Sequence, residues 1–281
     1  MAPIVVVIAA GEMGAAVGGR LREKGAEVRT SLVGRSAKTA ERARRHGLTV
    51  VNDDAELVAD ANFVLSIAPP AEAVPLARRL APALKQSTAK PVYVECNAVS
   101  PVTVAEAATA IGRTGCGFVD AGIIGGPPRP GTPGPKFYAC GPAVERFATL
   151  RDCGLDVRAL DGQIGTASAL KMAYGSITKG FTAIGTAAML GATMAGVADA
   201  LKRELADSQP ALKAWLDRQL PNMYAKAYRW VAEMEEVAAH LGKPSPSAQI
   251  YEGVARLYAQ LARSYEGDKK DVEALVAFVK E

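Results

Sequence analysis

A run of five apolar residues near the N-terminus, 4–8, breaks into a small-residue segment, 9–14, and a helical pattern follows. This order of strand, tight turn and helix is typical of the entry to a dinucleotide-binding fold. The turn lets the backbone approach a pyrophosphate, and the helix N-terminus offers free N–H groups to it. We therefore expect a nucleotide cofactor to bind at Ala10, Gly11, Glu12, Met13 and Gly14.

The turn departs from the G-x-G-x-x-G pattern, because Ala9 stands where the first glycine is usual. Gly11 and Gly14 keep the second and third positions, which serve close approach to phosphate and helix–strand packing. The alternative interpretation is an ordinary strand–turn–helix unit whose small residues serve packing alone.

Strand and helix patterns alternate over the first 160 residues, which predicts an α/β Rossmann domain with a doubly wound, mostly parallel sheet. From about Gly162 the strand patterns stop, and one long helical pattern runs to about Asp207. We expect a dinucleotide-binding domain over 1–162 and an all-helical substrate and dimerisation domain over 163–281. The segment 125–135 is too rich in glycine and proline for a helix or central strand, which predicts a loop beside the site.

Composition narrows the class of protein. The net charge is only +4 and the basic residues are scattered, so we expect no nucleic-acid partner. The four cysteines lack C-x-x-C spacing, which favours reduced thiols in the cytoplasm, and two histidines make a metal site improbable. The uncharged stretch 180–198 is mostly Gly, Ala and Thr, and we therefore expect it to lie within protein and not in a membrane.

The end of the second predicted strand addresses the choice of cofactor. An acidic residue there would bind the ribose 2′-hydroxyl of NAD, whereas a nearby arginine accommodates the 2′-phosphate of NADP. This chain has Arg35 and Ser36, followed by Lys38, and no acid. The pattern favours NADP over NAD. The alternative is a solvated basic turn in which Ser36 caps the next helix.

Two further strands end in segments that belong at the same edge of a parallel sheet. The fourth leads into Ala68 and Pro69, and the fifth into Asn97. Ligands of doubly wound sheets bind beyond the carboxyl ends of the strands, so these three residues are predicted to line the cofactor site. Asn97 could serve both cofactor and substrate through its amide, although an Asx turn is the simpler explanation.

With these motifs in place, the chain resembles the β-hydroxyacid dehydrogenase superfamily, which includes 6-phosphogluconate dehydrogenase and 3-hydroxyisobutyrate dehydrogenase. The resemblance covers most of the chain and rests on four segments: Gly11–Gly14, Arg35–Ser36, Asp120–Gly126 and Gly165–Met172. It implies a Rossmann domain, an all-α domain built on a long helix, a small-molecule substrate and a homodimer formed through the helical domain.

The resemblance also implies that Lys171 transfers the proton as general acid or base. A lysine in an apolar, Ala-rich helix is desolvated, which favours its neutral form. The alternative is a snorkelling lysine at a helix edge. Further substrate contacts are expected at Asn97, Gly125, Gly126, Tyr174 and Lys179.

Three departures separate this chain from the family pattern. Gly175 stands where an asparagine is usual, so that Tyr174 or Ser176 would have to replace it. Ile124 stands where a serine is usual, which indicates either a more apolar substrate or a different way of holding the substrate carboxylate. Asn97 replaces the Ser/Thr motif of the hydroxyacid enzymes and resembles the phosphogluconate branch.

These observations predict an NADP-dependent oxidoreductase that transfers hydride between the nicotinamide and a small hydroxy acid or related alcohol. Two alternatives stay open. One is an imine reductase-like enzyme, and the other is a non-catalytic NADP-binding protein. Lys179, two turns beyond Lys171, and Arg129 in the proline-rich loop are further candidate anion contacts.

Overall fold

The computed structural model describes residues 2–279 and divides the chain into two compact units, one ending at Met172 and one beginning at Ala173. The division falls later than the predicted boundary at 162. The reason is that the first turns of the long helix, which begins at Thr166, pack against the sheet of the first unit.

One eight-stranded sheet organises the first unit. Its strands are β1 (Ile4–Ile8), β2 (Glu27–Thr30), β3 (Thr49–Val50), β4 (Phe63–Ser66), β5 (Val92–Glu95), β6 (Phe118–Ile124), β7 (Lys136–Cys140) and β8 (Asp156–Ala159). They lie in the order β3-β2-β1-β4-β5-β6-β7-β8, and all neighbours are parallel except β6 and β7. The predicted mostly parallel Rossmann sheet is confirmed.

Helices cover both faces of this sheet. They are α1 (Glu12–Glu23), α2 (Ala37–Arg45), α3 (Asp54–Val58), α4 (Ala73–Gln86), α5 (Pro101–Gly112) and α6 (Val144–Ala148), with short 3-10 segments at Pro70–Glu72 and Thr149–Arg151. Alternate residues of β1 point into two separate apolar cores: Val5 and Val7 pack with α1, whereas Val6 and Ile8 pack with α4 and α5. Burial on both faces explains why this strand is a continuous apolar run.

The second unit is all-helical, as predicted. It contains most of α7 (Thr166–Met194), then α8 (Ala198–Ser208), α9 (Pro210–Met223), α10 (Ala227–His240), α11 (Pro246–Glu266) and α12 (Lys270–Val279), with a 3-10 segment at Tyr224–Lys226. Helices α10 and α11 pack along each other, and Trp230 meets Tyr258 edge to face at 5.2 Å between ring centroids.

The prediction of a single long helix that reaches Asp207 is wrong, because α7 ends at Met194. Gly196 adopts a left-handed φ of +72°, its N–H donates to the Thr193 carbonyl, and the Val197 N–H donates to the Ala192 carbonyl. This pair of bonds is the Schellman motif that closes helix C-termini at a glycine. The chain then restarts as α8.

In the described part of the chain no helix combines the length and hydropathy needed to cross a bilayer. The uncharged stretch in α7 is nonetheless buried on one face only. Ala183 and Met189 are almost fully buried, whereas Phe181 and Ile184 are more than half exposed. Residues of this chain therefore cover one face of the stretch and leave the other face exposed.

Candidate functional site

The carboxyl ends of four adjacent strands form the edge where the predicted site residues gather. Ile8 of β1 pairs with Ser66 of β4, Ser66 pairs with Glu95 of β5, and Glu95 pairs with Asp120 of β6. The small-residue turn after β1, the Ala68–Pro69 segment and Asn97 therefore emerge side by side, at the position where doubly wound folds bind ligands.

The turn after β1 fits a pyrophosphate. Gly11 is the N-cap of α1, no side chain caps the helix, and a Cβ built on Gly11 would meet nothing within 4 Å. The first amides of α1, those of Glu12 and Met13 among them, are thus left without helical acceptors, and an anion can approach them. Ala9 adopts no positive φ, so its φ does not require the glycine that is usual at this position.

Gly14 holds α1 close to the end of β1. A Cβ at this position would lie 2.0 Å from the Ala9 carbonyl oxygen, a distance that no side chain permits. Gly14 therefore fills the packing role of the third glycine, as the sequence pattern predicts. The buried Ala10 completes the turn.

Arg35 and Ser36 lie after β2, at the start of α2. The turn uses Gly34 at a φ of +69°, and the Arg35 N–H donates to the Leu32 carbonyl at 3.0 Å. Ser36 is the N-cap of α2, where its Oγ accepts the Thr39 N–H at 3.3 Å. Across residues 2–279 the Arg35 guanidinium enters no ion pair, so it is available to an anionic ligand.

Asn97 ties the ends of β4 and β5 together. Its Oδ1 accepts the Ala68 N–H at 2.5 Å, and its Nδ2 donates to Ser66 Oγ at 2.9 Å. The side chain is almost fully buried. Through this bridge Asn97 fixes the course of the chain into Pro69, which precedes the 3-10 turn at Pro70–Glu72.

Lys171 is brought to the same edge by the packing of α7 on β6. A Cβ on Gly122 would lie 3.0 Å from the Ala167 carbonyl oxygen and 3.1 Å from Lys171 Cβ, so any side chain here would make the helix or the strand give by a few tenths of an ångström. The half-buried Lys171 amine donates a hydrogen bond to the Ile123 carbonyl, at the end of β6. This places a proton donor or acceptor beside the predicted cofactor edge.

A buried carboxylate that the sequence analysis did not assign fixes the start of α7. Asp120 Oδ2 accepts the N–H groups of Gly165 at 2.9 Å and Ser168 at 3.1 Å, and its Oδ1 accepts the Ser168 hydroxyl at 2.7 Å. The carboxylate thus caps the helix one turn before Lys171, where its negative charge interacts favourably with the positive end of the helix dipole. The signal was present in the sequence as an acid within an otherwise apolar strand.

Glu95 is the second unassigned acid of this kind. It is fully buried at the end of β5, and its Oε1 accepts the Asn97 N–H at 2.9 Å. Burial raises the pKa of Glu95 to about 8, against the lowering effect of that N–H. Glu95 therefore lies next to Asp120 in the sheet, and its burial favours the neutral form.

Gly125 and Gly126 open the proline-rich loop after β6. Gly125 has a φ of +126° and lies against Pro135, whereas a Cβ on Gly126 would meet nothing within 4 Å. Arg20 of α1 holds the loop by donating to the carbonyls of Arg129 and Thr132, each at 3.0 Å. The predicted loop is confirmed, and it is ordered by the same helix that begins at the cofactor turn.

Two of the predicted substrate contacts, Tyr174 and Lys179, lie on α7 within the helical unit. Tyr174 is about half exposed on α7, and the Ser176 hydroxyl donates to the Ala173 carbonyl at 2.8 Å. Lys179 forms an ion pair with Glu233 and lies 5.4 Å from the centroid of the Trp230 ring. The role of Lys179 as an anion contact stays a prediction, and an anion there would have to compete with Glu233 for the amine.

This geometry defines a class: an uncapped helix N-terminus, a strand edge and a lysine are assembled as in dinucleotide-binding oxidoreductases. The family model for the NAD binding domain of 6-phosphogluconate dehydrogenase matches residues 5–151, more than half of the chain. A model for a domain of unknown function matches residues 192–261. The chain belongs to the 6-phosphogluconate dehydrogenase-like superfamily, which includes 3-hydroxyisobutyrate dehydrogenase.

Relatives and solved structures agree with this assignment. An uncharacterised 28.5 kDa protein of Methanothermus fervidus is 30% identical over 158 residues, which cover 56% of this chain and 59% of that protein. A conserved protein of unknown function, described as structurally similar to 3-hydroxyacid dehydrogenases, is 30% identical with a TM-score of 0.68. That match covers 94% of this chain and 98% of the other.

Two more distant structures show the fold alone. The Mycobacterium tuberculosis 3-hydroxyisobutyrate dehydrogenase, solved with L-serine, is 18% identical at a TM-score of 0.63, with 99% of this chain and 98% of that chain covered. An imine reductase variant from Myxococcus stipitatus, solved with NAD+, is 18% identical at a TM-score of 0.54, and both chains are covered completely. The family model and the 30% identical structure therefore assign to the chain an NAD(P)-binding domain, in a fold similar to that of the 3-hydroxyacid dehydrogenases.

Proposed function

We propose that the protein is an NADP-dependent oxidoreductase that transfers hydride between the nicotinamide and a small hydroxy acid or related alcohol. The observation that supports this most strongly is the Lys171 amine at the Ile123 carbonyl, on the strand edge that also presents the Gly11 turn and Asn97. The cofactor, when bound, supplies the hydride donor or acceptor at its nicotinamide ring.

In this proposal the backbone N–H groups at the start of α1 bind the pyrophosphate, and the Ala68–Pro69 segment lies along the cofactor. Lys171 takes the hydroxyl proton of an alcohol substrate on oxidation and returns it to the carbonyl oxygen on reduction. The Ile123 carbonyl restricts the direction of the amine and keeps one of its hydrogens engaged.

A second candidate is reduction of imines, and Ile124 favours it. This residue stands at the end of β6 where the hydroxyacid enzymes have a serine, so the strand offers no hydroxyl to a substrate carboxylate. The test is turnover of NADPH by the purified protein with a panel of 3-hydroxy acids, their oxo acids and cyclic imines. Tight NADPH binding without turnover of any compound would support the third candidate, a non-catalytic binding protein, and contradict both enzymes.

The preference for NADP predicts a cofactor-specific effect of Arg35. Replacing Arg35 by alanine removes the guanidinium proposed to bind the 2′-phosphate, a charge-assisted contact that is worth about 1.5–3 kcal/mol. We expect the NADPH dissociation constant to rise about 10- to 100-fold, while that of NADH stays unchanged. Cofactor fluorescence titration measures both values.

The matched control for this variant is Arg45→Ala. Arg45 is an exposed arginine at the opposite end of the same helix, and it pairs only weakly with Glu41 at 3.8 Å. Its replacement changes net charge equally without touching the proposed phosphate contact. Equal affinity of the wild-type protein for NADPH and NADH would refute the NADP preference directly.

An apolar stripe on α7 supports the proposed homodimer. Within the helical unit Tyr174, Ile177, Phe181 and Ile184 are exposed at alternating spacings of four and three residues, and the small residues Ala188 and Gly191 continue the pattern. This 3.5-residue repeat is the spacing that helix pairs use to bury a common seam. A two-fold axis brings the same surface of both subunits together, so in a homodimer this exposed face would pack against its own copy.

The stripe predicts the oligomeric state of a double variant. Introducing glutamate at Ile177 and Ile184 would bury two charges in each half of the seam, so we expect the dimer to dissociate to monomers. Light scattering coupled to size exclusion measures the mass. Ile250→Glu, an equally exposed isoleucine on α11, is the control and should stay dimeric. A wild-type protein that elutes as a monomer would overturn the proposal.

A further inference from the structure

Three polar side chains form a buried row across the sheet, immediately below the predicted cofactor edge. Ser66, Glu95 and Asp120 are in register on β4, β5 and β6, and each is at most 1% exposed. Paired residues on parallel strands direct their side chains to the same face. Two acidic groups are therefore neighbours in the interior.

The two acids of this row are solvated very differently. Asp120 receives two backbone N–H groups and the Ser168 hydroxyl, so both of its carboxylate oxygens have donors. Glu95 receives the Asn97 N–H on Oε1, and its Oε2 has no hydrogen-bond partner among residues 2–279. The ion pairs of those residues include no cation for Glu95.

We propose that Glu95 is a positioning residue that works as a neutral carboxylic acid and holds the Asn97 turn in the shape that binds the cofactor. It acts through the Asn97 backbone N–H, while the Asn97 side chain in turn fixes Ala68. The inference rests on the proposed function, since that function places the cofactor along Ala68 and Asn97.

Burial and, to a lesser extent, the charge of Asp120 raise the pKa of Glu95, whereas hydrogen bonds from the Asn97 N–H and from the Ser66 and Asn97 side chains lower it. Asp120 of β6 lies beside Glu95, and Tyr93 and Cys96 of the same strand are buried with it. The pKa of the Tyr93 hydroxyl and that of the Cys96 thiol are both raised. Burial is the larger cause in each case, and the charge of Glu95 is the second. The charge of Arg79, on α4, lowers the pKa of Tyr93 and so partly opposes these two effects.

The first experiment measures NADPH affinity against pH for the wild type and Glu95→Gln, which mimics the neutral acid in shape. The pKa of Glu95 is about 8. Above that pH a second negative charge develops beside Asp120, and we expect wild-type affinity to fall by up to about tenfold per pH unit. The Gln variant should keep its affinity over the same range. An equal alkaline loss in both proteins would overturn the proposal.

Glu95→Ala separates positioning from mere tolerance of a buried acid. It removes the acceptor for the Asn97 N–H, so we expect weaker NADPH binding at every pH, and Glu95→Gln should restore wild-type affinity below pH 8. If alanine and glutamine bind NADPH equally well, Glu95 positions nothing and the proposal fails.

The second experiment needs no cofactor and so distinguishes failure of this inference from failure of the proposed function. Burial raises the pKa of Glu95 from an ordinary value of 4.5 to about 8. Between these values the unfolded chain loses the proton and the folded chain keeps it, so wild-type stability falls as pH rises across this window and levels off above it. The melting temperature of Glu95→Gln relative to wild type should therefore increase from pH 4.5 to 8. A pH-independent difference would show that Glu95 is ionised in the fold.

Discussion

Replacing Lys171 by methionine is expected to lower kcat by about 10²- to 10⁴-fold, because the proposed proton transfer loses its donor and acceptor. Methionine keeps the length and apolar stem of the side chain, so α7 should retain its packing on Gly122. We expect NADPH affinity to stay at the wild-type value. Steady-state kinetics on the best substrate of the panel, with separate kcat and KM, measure the effect.

Lys85→Met is the control for this variant. Lys85 is an exposed lysine in the last turn of α4, which leads back to the start of β5 at the opposite end of the strands. Its replacement makes the same change in charge far from the proposed chemistry, and turnover should be unaffected. Full turnover by Lys171→Met would contradict the proposed mechanism even if the cofactor and substrate classes were correct.

Replacing Asp120 by alanine is expected to lower the free energy of unfolding by about 3–5 kcal/mol, because several buried donors lose their acceptor at once. These donors are the N–H groups of Gly165 and Ser168 and the Ser168 hydroxyl. Loss of the cap also frees the turn of α7 that precedes Lys171, and we expect kcat to fall by about 10²-fold in the protein that remains folded. Urea unfolding and steady-state kinetics measure the two effects.

Ser168→Ala is the graded comparison for Asp120. It removes only the hydroxyl bond and keeps both backbone bonds to the carboxylate, so a loss of about 0.5–1.5 kcal/mol is expected. Turnover should change little, since the helix cap persists. An Asp120→Ala variant no less stable than Ser168→Ala would show that the carboxylate does not hold the helix start.

Local patterns were enough to predict the architecture. The apolar run of β1, the small-residue turn and the switch to helical periodicity near 162 each reflect burial, and burial depends mainly on the order of neighbouring residues. The end of α7 could not be predicted this way, because Gly196 lies among many other glycines and only its left-handed backbone ends the helix. Composition alone does not distinguish a glycine that packs from one that terminates.

The candidate site was predicted less completely, and for a physical reason. Gly11, Gly14 and Lys171 belong to contiguous motifs, so their roles follow from local spacing. Asp120 and Glu95 act through strand register, which joins residues far apart in the chain and is set only by tertiary pairing. Likewise Glu233, the ion-pair partner of Lys179, lies on another helix, and no sequence pattern near Lys179 predicts this ion pair.

Gly122 gives the site a property that matters for redesign. The space between strand β6 and α7 is set by the absence of one carbon atom, and even alanine would force its neighbours to give by a few tenths of an ångström. Because Ala167 and the Lys171 Cβ lie against Gly122, such a substitution would push the first turns of α7 away from the strand. A substitution at residue 122 would therefore shift the position of the Lys171 amine without altering any reacting group.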